Sequence, residues 1–228
     1  MYKKHLQIAV DGPVGSGKTS LCDEVAKRLN ILHLDTGAMY RAVGLAAIRN
    51  GISPDDEEQL SRLCLEGLAL VDAIYKDNRQ ITLLNNVDVS DDIRTEEAGL
   101  AASSVSRFAV VRKYLVKLQQ NIADKQSLIM DGRDIGTVVL PHAPLKIFLT
   151  ANPRVRAQRR HKQLIEKGAN PDFELVLQDL QKRDLQDSTR KIDPLKKADD
   201  AIALDTSDLS FEQSVQAIIN EVKRVYGE

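Results

Sequence analysis

The chain has 228 residues, and its 32 basic and 33 acidic side chains leave a formal net charge of −1 at pH 7. This balance excludes a bulk basic field, so no nucleic-acid or membrane partner is predicted. A hydrophobic content of 43% is enough for a core, and the length favours one domain with insertions over two independent domains.

The two cysteines, Cys22 and Cys64, are far apart and lack metal-ligand spacing. They are therefore interpreted as packing residues of a cytoplasmic protein, not as a disulfide. The four histidines form no cluster in the sequence and are assigned no role. Residues 1–5 lead into the first apolar run without a long apolar stretch, so neither a signal peptide nor a membrane span is predicted.

A phosphate-binding motif follows the first apolar run. It fits the pattern G-x-x-x-x-G-K-[ST] and consists of Gly12, Pro13, Val14, Gly15, Ser16, Gly17, Lys18 and Thr19. The glycines let backbone N–H groups approach an anion, and Lys18 adds a charge for the β- and γ-phosphates. The Thr19 hydroxyl is a suitable ligand for Mg²⁺. Because a strand precedes the loop and a helix pattern follows it, the segment predicts binding of a nucleoside triphosphate.

Short apolar runs alternate with helical patterns along the chain. Such runs are typical of central parallel strands that are covered on both faces. The pattern predicts an α/β fold with a five-stranded parallel sheet flanked by helices. The predicted strands are Leu6–Val10, Ile31–Leu34, Leu128–Met130, Leu145–Thr150 and Ala201–Leu204.

Two segments interrupt this core. Residues 36–99 are predicted to form helices and then a small antiparallel sheet, with turns at Asp77-Asn78 and Asn85-Asn86. Residues 154–190 are dense in charge and helical in pattern, with a break at Gly168–Pro171. One domain is therefore predicted, with its core in residues 1–35, 100–153 and 191–228.

Two helix predictions rest on specific spacings. Apolar residues three and four apart, from Leu100 to Ile122 with Ser104 as one polar member, predict one long amphipathic helix. Ser210 and Gln213 have the spacing of a capping box and predict the start of the last helix.

The first candidate site outside the loop directly follows the second strand. Thr36 and Arg41 lie near a helix start there, where α/β sheets bind ligands. An arginine in this position is suited to hold a second phosphate in a bidentate fork. The alternative left open is that Thr36 only caps the helix and Arg41 is a solvated charge.

The second candidate site is the segment 128–136. An apolar strand that ends in Asp131 has the form of the second element of phosphate-loop enzymes, whose carboxylate supports Mg²⁺. Arg133 and Asp134 follow on a loop that two glycines are expected to make mobile, and they suggest a polar substrate contact. The alternative is a turn with a surface ion pair.

The third candidate site is the charged region. Arg154, Arg156, Arg159 and Arg160 are followed by Arg183, Asp187 and Arg190, the last three on one helix face. Most charge runs are solvated faces. A mobile flap is the other interpretation, since arginines stabilise a transferring phosphoryl group and closure excludes water.

Taken together, these segments resemble the bacterial cytidylate kinases, a family similar to nucleoside monophosphate kinases with an enlarged monophosphate-binding region. The match spans nearly the whole chain. Its carriers are Asp11-Gly12-Pro13-x-Gly15-x-Gly17-Lys18, Asp35-Thr36-Gly37-Ala38-Met39-Tyr40-Arg41, Ile93-Arg94-Thr95, Asp131-Gly132-Arg133-Asp134-Ile135-Gly136-Thr137 and Arg183-Asp184-x-x-Asp187.

The resemblance implies transfer of the ATP γ-phosphate to CMP or dCMP, with Mg²⁺, by a monomer whose insert is 36–99 and whose lid is 154–190. ATP would bind to residues 12–19 and Ser20, and Mg²⁺ to Thr19, with Asp35 or Asp131 acting through water. The CMP-binding residues implied are Thr36, Arg41, Ser103, Arg112, Arg133, Asp134, Arg183, Asp187 and Arg190. Within that set, Arg41, Arg133 and Arg183 would hold the phosphate, Ser103, Arg112 and Asp134 the cytosine, and Asp187 with Arg183 the ribose. The catalytic residues implied are Lys18, Arg133, Arg183 and Arg159, the last with Arg160 on the lid.

The phosphate loop is also compatible with two other functions. A GTP-binding switch should carry D-x-x-G and N-K-x-D segments, and the sequence contains neither. A related kinase acting on another small acceptor would share the phosphate loop but not the two specific segments around Arg41 and Asp134.

Overall fold

A computed structural model describes residues 5–77 and 79–227. Residues 1–4 and the turn residue Asn78, on which two of the sequence predictions fall, lie outside the described residues. The strands are β1 (Gln7–Asp11), β2 (Leu32–Asp35), β3 (Val71–Lys76), β4 (Arg79–Leu84), β5 (Val87–Asp88), β6 (Leu128–Gly132), β7 (Leu145–Thr150) and β8 (Ile202–Asp205). The helices are α1 (Lys18–Leu29), α2 (Thr36–Arg49), α3 (Glu57–Leu65), α4 (Glu96–Val105), α5 (Ala109–Ala123), α6 (Pro153–Glu166), α7 (Phe173–Thr189) and α8 (Phe211–Tyr226).

The predicted parallel sheet is confirmed. Within the described residues it has five strands in the order β2-β6-β1-β7-β8, with every pair parallel. The register pairs Asp35 with Asp131 and Asp11 with Gly132. Because the carboxyl ends of parallel strands meet at one edge, this register brings three aspartates from distant parts of the sequence to the start of the cleft.

Helices cover both faces of this sheet, so its strands are apolar on both sides. Ile8 and Val10 face a cluster that includes α1 and α8, whereas Ala9 faces the cluster of α2 and α5. Each fully buried aliphatic side chain of this kind contributes about 1.5–3 kcal/mol, so the site stands on a rigid base.

The small antiparallel sheet is also confirmed, with the order β3-β4-β5. Its second hairpin turns at Asn85 and Asn86, whose φ values of 52° and 64° are those of a turn with two left-handed residues. Asparagine tolerates this conformation, which matches the twist of the strands. At the first hairpin Asp77 has φ 51°.

The single long helix predicted from Leu100 to Ile122 is wrong. The chain forms α4 and α5 instead, and Phe108 between them is extended, with φ −91° and ψ 131°. The Ser106 hydroxyl bonds back to the carbonyl of Ser103, a local competitor of helical bonding. The apolar spacing was misleading because α4 buries Ala98, Ala101 and Val105, whereas Leu100 of the predicted stripe is exposed. Helix α4 also crosses the predicted boundary at residue 99, and the division into core, insert and lid stays a prediction.

The remaining helices follow the predicted pattern. α6 and α7 form an antiparallel pair, and the Asp172 side chain accepts from the Leu175 N–H at the start of α7. At α8 both bonds of the predicted capping box form between Ser210 and Gln213. Over the described part of the chain, no helix combines the length and apolar composition needed to cross a bilayer.

Candidate active site

A cleft of about 810 Å³ lies at the carboxyl edge of the sheet. Its walls come from the phosphate loop, the starts of α2 and α4, the end of β6, and the lid helices α6 and α7. The site residues predicted from the sequence that line it are Val14, Gly15, Ser16, Gly17, Lys18, Thr19, Ser20, Asp35, Thr36, Arg41, Ser103, Arg112, Asp131, Arg133, Asp134, Arg159, Arg160, Arg183, Asp187 and Arg190. The structure therefore brings almost the whole predicted set into one cavity, with Gly12 and Pro13 just behind it.

Lys18 is held in a bent position by the loop itself. Its Nζ donates to the carbonyls of Gly12 and Pro13 at 2.7 and 2.8 Å and to the Ser16 hydroxyl at 3.3 Å. Burial, together with the nearby Arg133, lowers the pKa of Lys18 to about 7. A bound anion would stabilise the charged form of such a lysine.

Gly12 is required by close packing. A Cβ at this position would lie 2.0 Å from the carbonyl oxygen of Leu149 on β7. The loop backbone at Gly12 therefore passes so close to β7 that no residue with a Cβ fits at this position.

Thr19, Asp131 and His33 form a chain of hydrogen bonds below the loop. The Thr19 hydroxyl lies 3.0 Å from Oδ2 of Asp131, and His33 Nε2 lies 2.7 Å from Oδ1. Burial opposes protonation of His33, but the Asp131 carboxylate outweighs it and raises the pKa of the imidazole. A hydroxyl beside a carboxylate at a phosphate loop has the oxygen chemistry that fits Mg²⁺, directly or through water.

Asp35, the other predicted Mg²⁺ partner, is occupied in a different way. Its carboxylate caps α2 by accepting from the Ala38 N–H, and it accepts from Arg41 at 2.7 Å. Arg41 lowers the pKa of Asp35 although burial opposes this. The Thr36 hydroxyl donates to the Asp131 carbonyl at 2.8 Å, so the cap is Asp35 and not Thr36.

The segment after β6 is anchored, in contrast to the mobile loop expected from its glycines. The Asp11 carboxylate accepts from the N–H groups of Ile135 and Gly136 at 2.7 and 2.8 Å. The chain then makes a π-helical turn over Ile135–Val139. Gly132 is present because a Cβ would lie 2.7 Å from Thr36 Oγ1. Burial raises the pKa of Asp11 to about 6.

Asp134 lies at the centre of a buried charge cluster. Its carboxylate accepts from Arg112, at a short contact, and from Arg190 at 3.3 Å. Arg112 also donates through Nε to Asp193 at 2.7 Å. Its Nη1 is buried and has no hydrogen-bond partner in the described structure. Ser103 lies on the adjacent wall. An orphaned donor beside a carboxylate is an arrangement suited to a planar ligand that offers both an acceptor and a donor.

The second arginine group lies between this cluster and the phosphate loop. Arg133 donates through Nε to Asp187 on α7 at 2.6 Å. Arg183, one turn before Asp187, makes no hydrogen bond or ion pair that involves a described residue. Burial and the neighbouring Arg183 both lower the pKa of Arg160. Two arginines whose charges repel across a cleft form a site that an anion would stabilise.

The lid arginines have different partners. Arg154 is exposed and pairs with Glu174, whereas Arg159 donates to the hydroxyl and carbonyl of Thr206 at 3.1 and 2.6 Å. Arg156 is 4% exposed and points into the phosphate loop. Among the four, Arg160 faces the arginine of the opposite helix.

Some residues of the site were not found by sequence reasoning. His33 and Asp193 were given no role, although they hold Asp131 and Arg112. Gln80 of the small sheet accepts from the Asp35 N–H at 2.7 Å. The adjacency of β2 to β6 brings His33 to Asp131, and only the strand order could have predicted it.

The sheet order, the phosphate loop after the central strand and the paired helices over the cleft define a P-loop kinase. A family model described as cytidylate kinase matches residues 8–224. The chain belongs to the cytidylate kinase family.

Individual relatives agree with this assignment. A cytidylate kinase of Caldicellulosiruptor bescii is 45% identical over 218 residues, which cover 95% of each chain. A cytidylate kinase of Halalkalibacterium halodurans is 44% identical over 96% of this chain and 98% of its own. A solved structure of an uncharacterized protein from Eubacterium ventriosum aligns over 97% of this chain and 99% of its own, with a TM-score of 0.51 and 14% identity. That last likeness concerns the fold alone.

Proposed function

We propose that the cleft binds ATP on the phosphate loop and CMP or dCMP between Arg41, Asp134 and Arg183. As a member of the cytidylate kinase family, the chain is an ATP-dependent kinase that phosphorylates CMP or dCMP to CDP or dCDP. One observation supports the binding of two nucleotides: the phosphate loop and the Arg112–Asp134 pair line the same cavity.

The acceptor base would be recognised by the buried cluster. The Asp134 carboxylate would accept a hydrogen bond from the exocyclic amine of cytosine. The free Nη1 of Arg112 would donate to the ring acceptors, and Ser103 would contact the edge of the base. Uracil would present a carbonyl where cytosine has its amine, so two acceptors would face each other. Sites of this kind reject mismatches strongly because a buried polar group is left unpaired.

The phosphates would lie between the two halves. Arg41, Arg133 and Arg183 hold the acceptor phosphate, and Asp187 positions the ribose beside Arg133. Lys18 and the backbone of Gly12–Thr19 with Ser20 hold ATP. Phosphoryl transfer to an anionic acceptor needs alignment and charge neutralisation more than a base, which this arrangement supplies.

Mg²⁺ would bind at Thr19, with Asp131 as the supporting carboxylate. The 3.0 Å contact between their oxygens favours Asp131 over Asp35, whose carboxylate already caps α2 and binds Arg41. When bound, the ion would neutralise charge on the β- and γ-phosphates. Because both halves of the cleft come from one chain, we propose a monomer with an insert at 36–99 and a lid at 154–190. A cytoplasmic location fits an enzyme of these nucleotides.

Turnover across a panel of monophosphates tests the function. CMP and dCMP should be the best acceptors with ATP, and UMP and AMP should be poorer by about 100-fold or more in kcat/KM. The measurement is ADP release at matched acceptor concentrations. UMP or AMP outperforming CMP would reject the cytidine assignment while leaving kinase activity intact.

The lid arginines make a second prediction. We propose Arg160 as the lid group that meets the transferring phosphoryl together with Arg183, because Arg159 would first have to leave Thr206. Arg160→Met should lower kcat by about 100-fold or more, which is the range for removal of a charge-stabilising donor. Arg159→Met is the matched comparison and should lower kcat less. A larger loss in Arg159→Met would instead support the catalytic role predicted for Arg159 from the sequence.

A further inference from the structure

The tip of the phosphate loop is held by an ion pair between the two lid helices, in which Arg156 is buried and Asp184 is half-buried. Arg156 on α6 donates through Nη1 to the Val14 carbonyl at 2.8 Å, and its Nη2 forms an ion pair with Oδ2 of Asp184 on α7 at 2.7 Å. The same carboxylate accepts from the Val14 N–H at 3.3 Å. One arginine and one aspartate thus satisfy both backbone groups of a single loop residue. Arg156 Nε is fixed by the Ala151 carbonyl at 2.9 Å.

Apolar packing supports the same contact. Val14 packs against a small cluster of α6 and α7 side chains that includes Leu180. A Cβ on Gly15 would lie 3.3 Å from Leu180 Cδ2 and 3.4 Å from Arg156 Cβ. The lid helices therefore lie directly on the loop that would hold the ATP phosphates.

Asp184, the α7 member of this ion pair, adjoins the acceptor side of the cleft. Residues 180, 183, 184 and 187 lie on one face of α7, because they are three and four apart. Within that face Leu180 and Asp184 contact the loop, whereas Asp187 contacts Arg133 and Arg183 lines the cleft. A shift of α7 on the acceptor side must therefore reach Val14 through Asp184.

We propose that Arg156 and Asp184 form a clamp that couples the two nucleotide subsites, so that CMP held by α7 strengthens ATP binding on the phosphate loop. They are positioning residues, because they contact loop backbone and not substrate. This inference rests on the proposed two-nucleotide cleft. Coupling of this kind is reciprocal, so ATP must strengthen CMP binding by the same factor.

The test measures the affinity of the full-length protein for a non-hydrolysable ATP analogue, by calorimetry, with and without saturating CMP. In the wild type, CMP should tighten the analogue about tenfold, within the usual range for coupled sites. In Asp184→Asn, which keeps the shape but removes the charge, this ratio should fall to about one while CMP alone binds within about twofold of wild type. Arg154→Met is the matched control, since Arg154 is an exposed arginine on the same helix, paired with exposed Glu174.

A second variant covers the case in which Asp184→Asn leaves Arg156 buried without its ion-pair partner and fails to fold. The double change Arg156→Met with Asp184→Asn removes both charges, and it should also abolish the coupling. A merely structural ion pair would lower the melting temperature and leave the affinity ratio unchanged, which would overturn the proposal. Absence of coupling in a wild type that still phosphorylates CMP would overturn it as well, without affecting the proposed function.

Discussion

Asp134→Ala should raise the KM for CMP by about 100-fold or more and leave the KM for ATP within about threefold, because it removes the acceptor for the cytosine amine. It also removes the carboxylate that accepts from Arg112 and Arg190, and so leaves two buried cations less well paired. Initial-rate kinetics with each substrate varied in turn give both constants.

The control for this change is Asp193→Asn. Asp193 also pairs with Arg112, at 2.7 Å, but it does not line the cleft. Its replacement should weaken the support of Arg112 and raise the KM for CMP less than Asp134→Ala does. Equal effects of Asp134→Ala on CMP and ATP would contradict a base-reading role, and melting curves of both variants would distinguish that outcome from partial unfolding.

Burial of the Asp134 charge also explains how this residue would distinguish cytosine from uracil. Burial raises the pKa of Asp134, and the two arginines oppose that rise. The fixed cations therefore offset the cost of desolvating the Asp134 carboxylate, at a place where water is excluded. Such a group discriminates between an amine and a carbonyl far better than an exposed carboxylate, because a mismatched ligand has no solvent to restore the lost bond.

Much of the fold could be predicted because its signals are local. The runs at Leu128–Met130 and Leu145–Thr150 are short and apolar on both faces, and parallel strands covered by helices require that composition. The capping box at Ser210 and Gln213 is likewise read within four residues. The break at Ser106–Phe108 has no proline or glycine, and a serine such as Ser106 also occurs inside helices, so the sequence did not distinguish the break from a continuing helix.

The candidate site likewise contains residues that a local motif predicts and residues that only the fold brings together. Lys18 and Thr19 belong to a contiguous motif. By contrast, His33 contacts Asp131, and Asp11 lies opposite Gly132, only because of the strand order and register. The glycines after β6 indicated mobility, but Gly132 is required by contact with Thr36. A pattern of residue types does not show which carboxylate will accept the neighbouring backbone N–H groups. The same limit applied to Arg156, which looked like any other arginine of a charged helix until its partners were known.

Lys18→Met should lower kcat by about 10³-fold or more, since it removes the charge nearest the transferring phosphate. The structure adds a second, independent readout. In the ligand-free protein burial lowers the pKa of Lys18 to about 7, so at pH 8 the amine is largely neutral. Phosphate oxygens favour the charged amine and raise that pKa, so ATP binding must take up a proton between pH 7 and the new, higher pKa.

Calorimetry at pH 8 in two buffers of different ionisation enthalpy measures this uptake. Wild type should take up close to one proton per ATP, and the uptake should shrink as the pH falls below 7, where Lys18 is already charged before ATP arrives. Lys18→Met should bind ATP more weakly and without this proton. If Lys18→Met still took up a proton on binding ATP, the proton would have to bind to another group. Wild-type binding without uptake at pH 8 would mean that Lys18 is charged before the phosphates arrive, which its three contacts with loop oxygens would then have to explain.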